Sequence, residues 1–169
     1  MRSESNLRLT VQFAKRDEAA PSRGKIKRWI AAALKTDAEI TVRFVDEAEA
    51  QQLNRNYRAQ DRATNVLSFL YESGPPLTGD IALCVPLAQK EAKELAITVD
   101  ARVAHLLVHA TLHLQGYDHK SESDARVMEA LESKIVTSLR FADPYPNETD
   151  LVSRFSPESS ILSPRSSAL

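Results

Sequence analysis

The amino-acid sequence predicts a single α/β domain: a small mixed four-stranded sheet packed with about five helices, in the order βαβαββααα. Three observations carry that expectation. Short stretches alternate apolar and polar residues with period two, longer ones carry apolar residues at helical spacing, and capping residues, prolines and glycines separate them.

Leu7, Leu9, Val11 and Phe13 alternate with Arg8, Thr10 and Gln12, which predicts a half-buried strand. Pro21-Ser22 opens a helix expected to reach about Leu34. Ile40, Val42 and Phe44 mark a second strand, and Asp46 followed by Glu49 reads as an N-cap and its capping partner for a helix to about Tyr57. A polar loop, Arg58 to Asn65, precedes an apolar run from Val66 to Tyr71. The segment Glu72 to Thr78 holds Gly74, Pro75 and Pro76 and reads as a turn. Ile81, Leu83 and Val85 mark a fourth strand, and Pro86 opens a helix to about Ala96. A longer helix from Asp100 to Gln115 is stopped by Gly116, and a last one spans roughly Ser123 to Arg140, with Val127, Met128, Leu131, Ile135 and Leu139 at helical spacing. The domain is therefore expected over residues 1–140, and the Ser/Pro-rich residues 141–169 read as a disordered tail.

With 169 residues the chain can bury a core as one domain. A formal charge of −1 argues against a protein that coats nucleic acid by bulk electrostatics, so a polyanion must be met by a local basic patch. Cys84 is the only cysteine, which excludes an intramolecular disulfide and suits a reducing compartment. No apolar run approaches the ~18 residues of a membrane span, so the expectation is a cytoplasmic protein without a membrane partner.

The stretch HATLHLQGYDH, residues 109–119, holds three of the four histidines, and His105 lies one helical turn before it. His109 and His113 share a helix face, roughly 5–6 Å apart at Cβ, the separation two imidazoles need to grip one ion. Had the helix continued, His119 would lie about 9 Å further along the axis and turned away. Gly116 resolves this, because a glycine past a helix end takes the left-handed conformation and reverses the chain, returning Tyr117-Asp118-His119. Two histidines on a helix, a glycine break and a third from the return loop match a three-histidine zinc site with one position open to water.

The competing explanation for such histidines is a structural or surface role. The host helix argues against it for the group. Val103, Leu106, Leu107, Ala110 and Leu114 form one apolar face, Val108 and Leu112 flank the histidines on the other side, and no obvious acid is at hand to partner each imidazole. His105 continues the row and is placed outside the ligand set. Cys84 could supply a fourth ligand, but its apolar strand suits a small buried hydrophobe better. A peptidase of the H-E-x-x-H type is disfavoured, because the position of its glutamate is Ala110.

The pattern H-x-x-x-H-x-x-x-x-x-H ending in GYDH resembles the signature of the YbeY family of bacterial endoribonucleases and rRNA maturation factors. Leu53-Asn54-Arg55-Asn56-Tyr57-Arg58, Asp61 and Thr64-Asn65-Val66-Leu67-Ser68-Phe69 are similar to its LNxxYRxxDxxTDVLSF block, and Gly79-Asp80-Ile81 to its GDI strand entry. The resemblance spans about residues 7–140 and departs from the usual family residues at Ala110 for Gly, Asn65 for Asp and Leu70 for Pro. It implies a zinc-dependent, single-strand-specific RNA hydrolase acting in small-subunit rRNA 3′-end maturation and ribosome quality control. Implied partners are single-stranded RNA, the small ribosomal subunit and a ribosome-associated GTPase or ribosomal protein.

One Zn²⁺ on His109, His113 and His119 would lower the pKa of its water to about 7. Arg58, where the resemblance places a functional arginine, has the planar fork to hold a phosphate bidentately; its simpler role would be to cap its helix C-terminus. Arg55 and Arg62 flank it as candidate RNA contacts, and Arg23, Lys25, Lys27 and Arg28 crowd the first helix. Asp118 is open to two roles, capping the turn or orienting a histidine. Rival functions are a non-catalytic, zinc-stabilised ribosome assembly factor and a zinc hydrolase of another substrate.

Overall fold

The computed structural model describes residues 5–14, 16–58 and 65–146, apart from the side chains of residues 57 and 58. The element order is β1 (Leu7–Phe13), α1 (Arg23–Ala33), β2 (Ala38–Val45), α2 (Glu47–Arg58), β3 (Val66–Glu72), β4 (Leu77–Cys84), α3 (Val85–Leu95), α4 (Val99–Leu114) and α5 (Glu122–Ser138). This is the βαβαββααα order expected, with four strands and five helices among the described residues.

The sheet runs β1-β2-β4-β3. β1, β2 and β4 are mutually parallel, and β3 is antiparallel to β4 across the tight connection that Gly74, Pro75 and Pro76 provide. The parallel strands carry the most buried residues, among them Leu9, Ile40, Val42, Phe44, Ile81 and Leu83, as expected of strands covered by crossover helices.

Local chemistry sets the helix boundaries. Ser22, Asp46, Thr98 and Ser121 each accept from a backbone N–H in the first turn of the helix that follows. The Asp46 cap is half of the expected reciprocal box, because Glu49 turns instead to Arg43 and takes two hydrogen bonds, at 2.7 and 3.1 Å. Two boundaries differ from expectation. Val85 heads α3 rather than ending β4, since Pro86 tolerates only the first positions of a helix. Arg58 is the last residue of α2 rather than part of the loop after it.

α4 is central. Val103, Leu106, Leu107, Ala110 and Leu114 join the main core against the sheet, while Val108 and Leu112 join Met128 and Val136 of α5. Gly79 sets how closely α4 approaches: a Cβ there would lie 2.9 Å from the Phe69 carbonyl oxygen and 3.0 Å from Leu114 Cδ2. That is the physical content of the glycine in Gly79-Asp80-Ile81. Beyond residue 140, Phe141 packs edge-on to Trp29 and Tyr145 edge-on to His105, at centroid distances of 5.8 and 5.4 Å. Residues 147–169 of the expected tail lie outside the described residues. No single helix among the described residues is long and apolar enough to cross a membrane.

Candidate metal centre

The four histidines form a graded row. His105 and His109 are buried, His113 is half-buried and His119 is exposed. The row thus runs out of the core toward solvent as α4 ends.

Gly116 produces the reversal expected of it. Its φ is +101°, the Gly116 N–H bonds the His113 carbonyl at 3.0 Å, and the Tyr117 N–H bonds the Leu112 carbonyl at 3.2 Å. These two bonds, with Tyr117 packed on the Leu112 cluster, make a Schellman cap. The return segment is tied down elsewhere. Gln115 donates to the Ala33 carbonyl and accepts from the Lys35 N–H, and Lys35 Nζ donates to the Tyr117 hydroxyl. His119 is thereby brought back beside His109, with ring centroids 5.7 Å apart. Asp118 accepts the Lys120 N–H at 3.2 Å, a turn-capping contact.

Hydrogen bonding sets which nitrogen of each imidazole carries the proton. His113 Nδ1 lies 3.1 Å from the Tyr117 carbonyl, which only accepts, so Nδ1 donates and the lone pair is on Nε2. His109 Nδ1 lies 2.9 Å from Glu132 Oε2, and donates to that carboxylate in the same way. His105 is different. Arg102 Nη1, which can only donate, is 3.3 Å from its Nδ1, and its Nε2 donates to Glu132 Oε1 at 2.5 Å. Both of its nitrogens are committed, so it has no lone pair for an ion.

Glu132 is the residue that sequence reasoning missed. It supplies the acid that seemed lacking beside the histidines, accepting from His105, His109 and, at 2.9 Å, the Tyr145 hydroxyl. Burial alone would raise its pKa, but the hydrogen bonds from His105 and His109 prevail and hold it down at about 2. Burial drives the His105 pKa below 6.5, more strongly than Glu132 raises it. Burial likewise drives the Tyr145 hydroxyl far above its usual value, so it stays a donor. Beyond Arg102 the network continues to Glu91, at 2.9 Å from Arg102 Nε, and to Asn65, whose Nδ2 donates to both Glu91 oxygens at 3.1 Å.

The other expected site residues are dispersed. Arg55 is exposed on α2, while Arg62 and the Arg58 side chain lie outside the described residues. In the basic cluster of α1 all four residues are exposed; Arg23 donates to the Leu9 carbonyl and Lys25 pairs with Asp100 at 2.7 Å. Cys84 is enclosed by Val45, Ala50, Leu67 and Ala82, and burial pushes its thiol up to about 11, an environment for a hydrophobe rather than a ligand.

Comparison with known proteins decides the family. The family model described as Endoribonuclease YbeY matches residues 11–140. The chain belongs to the endoribonuclease YbeY family. A relative from Polaromonas sp. (strain JS666), named Endoribonuclease YbeY, is 55% identical over 145 residues, covering 82% of this chain and 94% of its own length. Another of that name from Delftia acidovorans is 52% identical over 149 residues, covering 85% and 98%. The solution structure of TM1509 from Thermotoga maritima gives a TM-score of 0.49 at 22% identity, covering 90% of this chain and 99% of its own.

The three histidines of this YbeY-family chain fit a zinc ion in donor chemistry. All are nitrogen donors, and His109 and His113 both keep the lone pair on Nε2, each ring steadied through Nδ1 as metal-bound imidazoles are. Among the described residues no three His, Cys, Asp or Glu side chains are gathered tightly enough to hold an ion as placed.

Proposed function

We propose that this chain is a zinc-dependent, single-strand-specific endoribonuclease of the cytoplasm. It acts in 3′-end maturation of small-subunit rRNA and in ribosome quality control, together with the small subunit and an associated GTPase or ribosomal protein. Family membership supports the endoribonuclease activity. The observation that carries the metal reading is the shared tautomer of His109 and His113, each with Nδ1 donating to a fixed acceptor.

His109, His113 and His119 hold the ion through imidazole nitrogens. When bound, the ion supplies hydroxide at neutral pH and polarises a phosphoryl oxygen. Arg58 contacts the substrate phosphate as a planar, permanently charged fork, and Arg55 and Arg62 follow the RNA backbone beside it. The half-buried to exposed end of the histidine row leaves the reacting phosphate an approach from solvent, while the apolar and Glu132-bound end keeps water out from behind.

Metal analysis of purified parent protein beside His113→Ala, with a single-stranded RNA cleavage assay on both, tests this. The parent should carry about one zinc and cut, and His113→Ala should lose both. Arg58→Glu should keep zinc and lose cleavage. A parent without stoichiometric metal defeats the reading, and a metal-replete parent that never cuts single-stranded RNA replaces it with the assembly-factor role. Cyclic phosphate ends on the products would identify the RNA 2′-hydroxyl, rather than water, as the attacking group.

A further inference from the structure

We propose that Glu132 is the positioning residue of the metal centre: its carboxylate, pinned by His105 and Tyr145, locks His109 in the tautomer that can bind an ion. This rests on the metal reading above.

Glu132 is 1% exposed, on the face of α5 that also buries Met128 and Val136. A carboxylate there is expensive unless every lone pair it turns inward meets a donor. The donors are present and are not interchangeable. Oε1 takes both His105 Nε2–H and the Tyr145 hydroxyl, and Oε2 takes His109 Nδ1–H. With Oε1 held from two sides, the carboxylate cannot swing away from His109.

Proton order along the network is also fixed. Arg102 cannot deprotonate, so His105 Nδ1 must accept and its Nε2 must donate. Glu132, with donors on both oxygens, is left as a pure acceptor, and His109 must donate through Nδ1. The lone pair of His109 is thus placed on Nε2 by groups that never touch the ion. Two of these anchors differ in origin: Tyr145 follows α5, beyond the residues 11–140 that match the family model, and Arg102 lies in the first turn of α4, three residues before His105. Tyr145 itself is steadied by Asp143, which accepts the Tyr145 N–H at 2.9 Å and the Ser133 hydroxyl at 2.7 Å.

Glu132→Gln is the informative change, because it keeps the volume and replaces one acceptor oxygen by an NH₂ donor. Three donors then converge on one oxygen and one amide. Where the NH₂ faces His109, Nδ1 must accept, and the proton moves to the nitrogen that the ion requires. The experiment measures Zn(II) affinity by competition with a chromophoric chelator, and ¹⁵N shifts of the His109 ring in metal-free protein. The parent should show protonated Nδ1 and unprotonated Nε2. Glu132→Gln should bind Zn(II) about 10- to 100-fold more weakly, and Tyr145→Phe should show a smaller loss in the same direction.

A role confined to stability would lower the melting temperature of both variants and leave the Zn(II) affinity of the folded protein unchanged; that result overturns the proposal. If Glu132→Gln does not fold, Tyr145→Phe and the parent spectrum decide, and a parent His109 protonated on Nε2 overturns it. A parent that takes up no Zn(II) overturns the metal reading instead, and the His109 tautomer still tests Glu132 without any metal.

Discussion

The two ends of α4 treat the same side chain in opposite ways. At the inner end His105 is enclosed, with Arg102 on one nitrogen and Glu132 on the other. At the outer end His113 is half-buried, His119 is exposed, and His113 Nδ1 lies 3.1 Å from a backbone carbonyl of the return loop. An imidazole whose Nδ1 faces a donor is fixed in one tautomer, and one whose Nδ1 faces an acceptor is fixed in the other. His109 stands at the junction, buried like the first and, like His113, donating through Nδ1 to a fixed acceptor. Burial alone therefore does not separate the two kinds of imidazole; the group facing Nδ1 does, a donor for His105 and an acceptor for His109 and His113.

The comparison can be broken most severely at its inner end. Glu132→Ala strips the acceptor from two buried imidazoles and a phenol, and should destabilise the metal-free protein by roughly 3–5 kcal/mol in a urea titration. A loss under about 1 kcal/mol would mean that water or rearrangement replaces the carboxylate readily.

Acid should sharpen the contrast next. Burial holds the folded His105 pKa below 6.5, so the unfolded chain takes up that proton first and stability falls as pH drops below about 6.5, by at most about 1.4 kcal/mol per pH unit. Glu132 has the same sign in a lower window: its stabilisation is complete above 4.5 and is lost as pH falls toward about 2. In metal-free His105→Gln the upper segment should be shallower than in the parent. Equal slopes for the two proteins would remove His105 as its source.

The smallest expected effect is at the outer end. Gly116→Ala meets no neighbouring atom within 4 Å, so only the positive φ resists it, at about 1 kcal/mol. Thermal melting of the metal-free variant measures this. A loss of several kcal/mol would show that the turn carries more of the packing than its exposed glycine suggests.

Much of this was legible in the sequence because it rests on short-range rules. Alternation gave β1 and β2, Ser22 and Asp46 gave the starts of α1 and α2, Pro86 that of α3, and Gly116 gave the reversal, each decided within a turn or two of chain. Glu132 was not legible for the opposite reason. Its partners lie 27 and 23 residues away, and a glutamate on an amphipathic helix ordinarily faces water. The one local signal was phase: Met128, Glu132 and Val136 form the fully buried row of α5, while of the other expected residues Leu131, Ile135 and Leu139 are only partly buried and Val127 is 54% exposed. In the basic cluster of α1 the partners of Arg23 and Lys25, the Leu9 carbonyl and Asp100, were equally out of reach of local rules.

The resemblance leads one to expect an aspartate at Asn65, and its neighbour explains why the amide is suited here. Its Nδ2 donates to both oxygens of Glu91, a contact that a carboxylate at residue 65 would turn into repulsion. Substitution history at these two positions should therefore be correlated: an acid at residue 65 is compatible with a residue at 91 that is neutral or basic. The identity of residue 91 then becomes a marker for sorting relatives by how they wire the buried network behind their histidines.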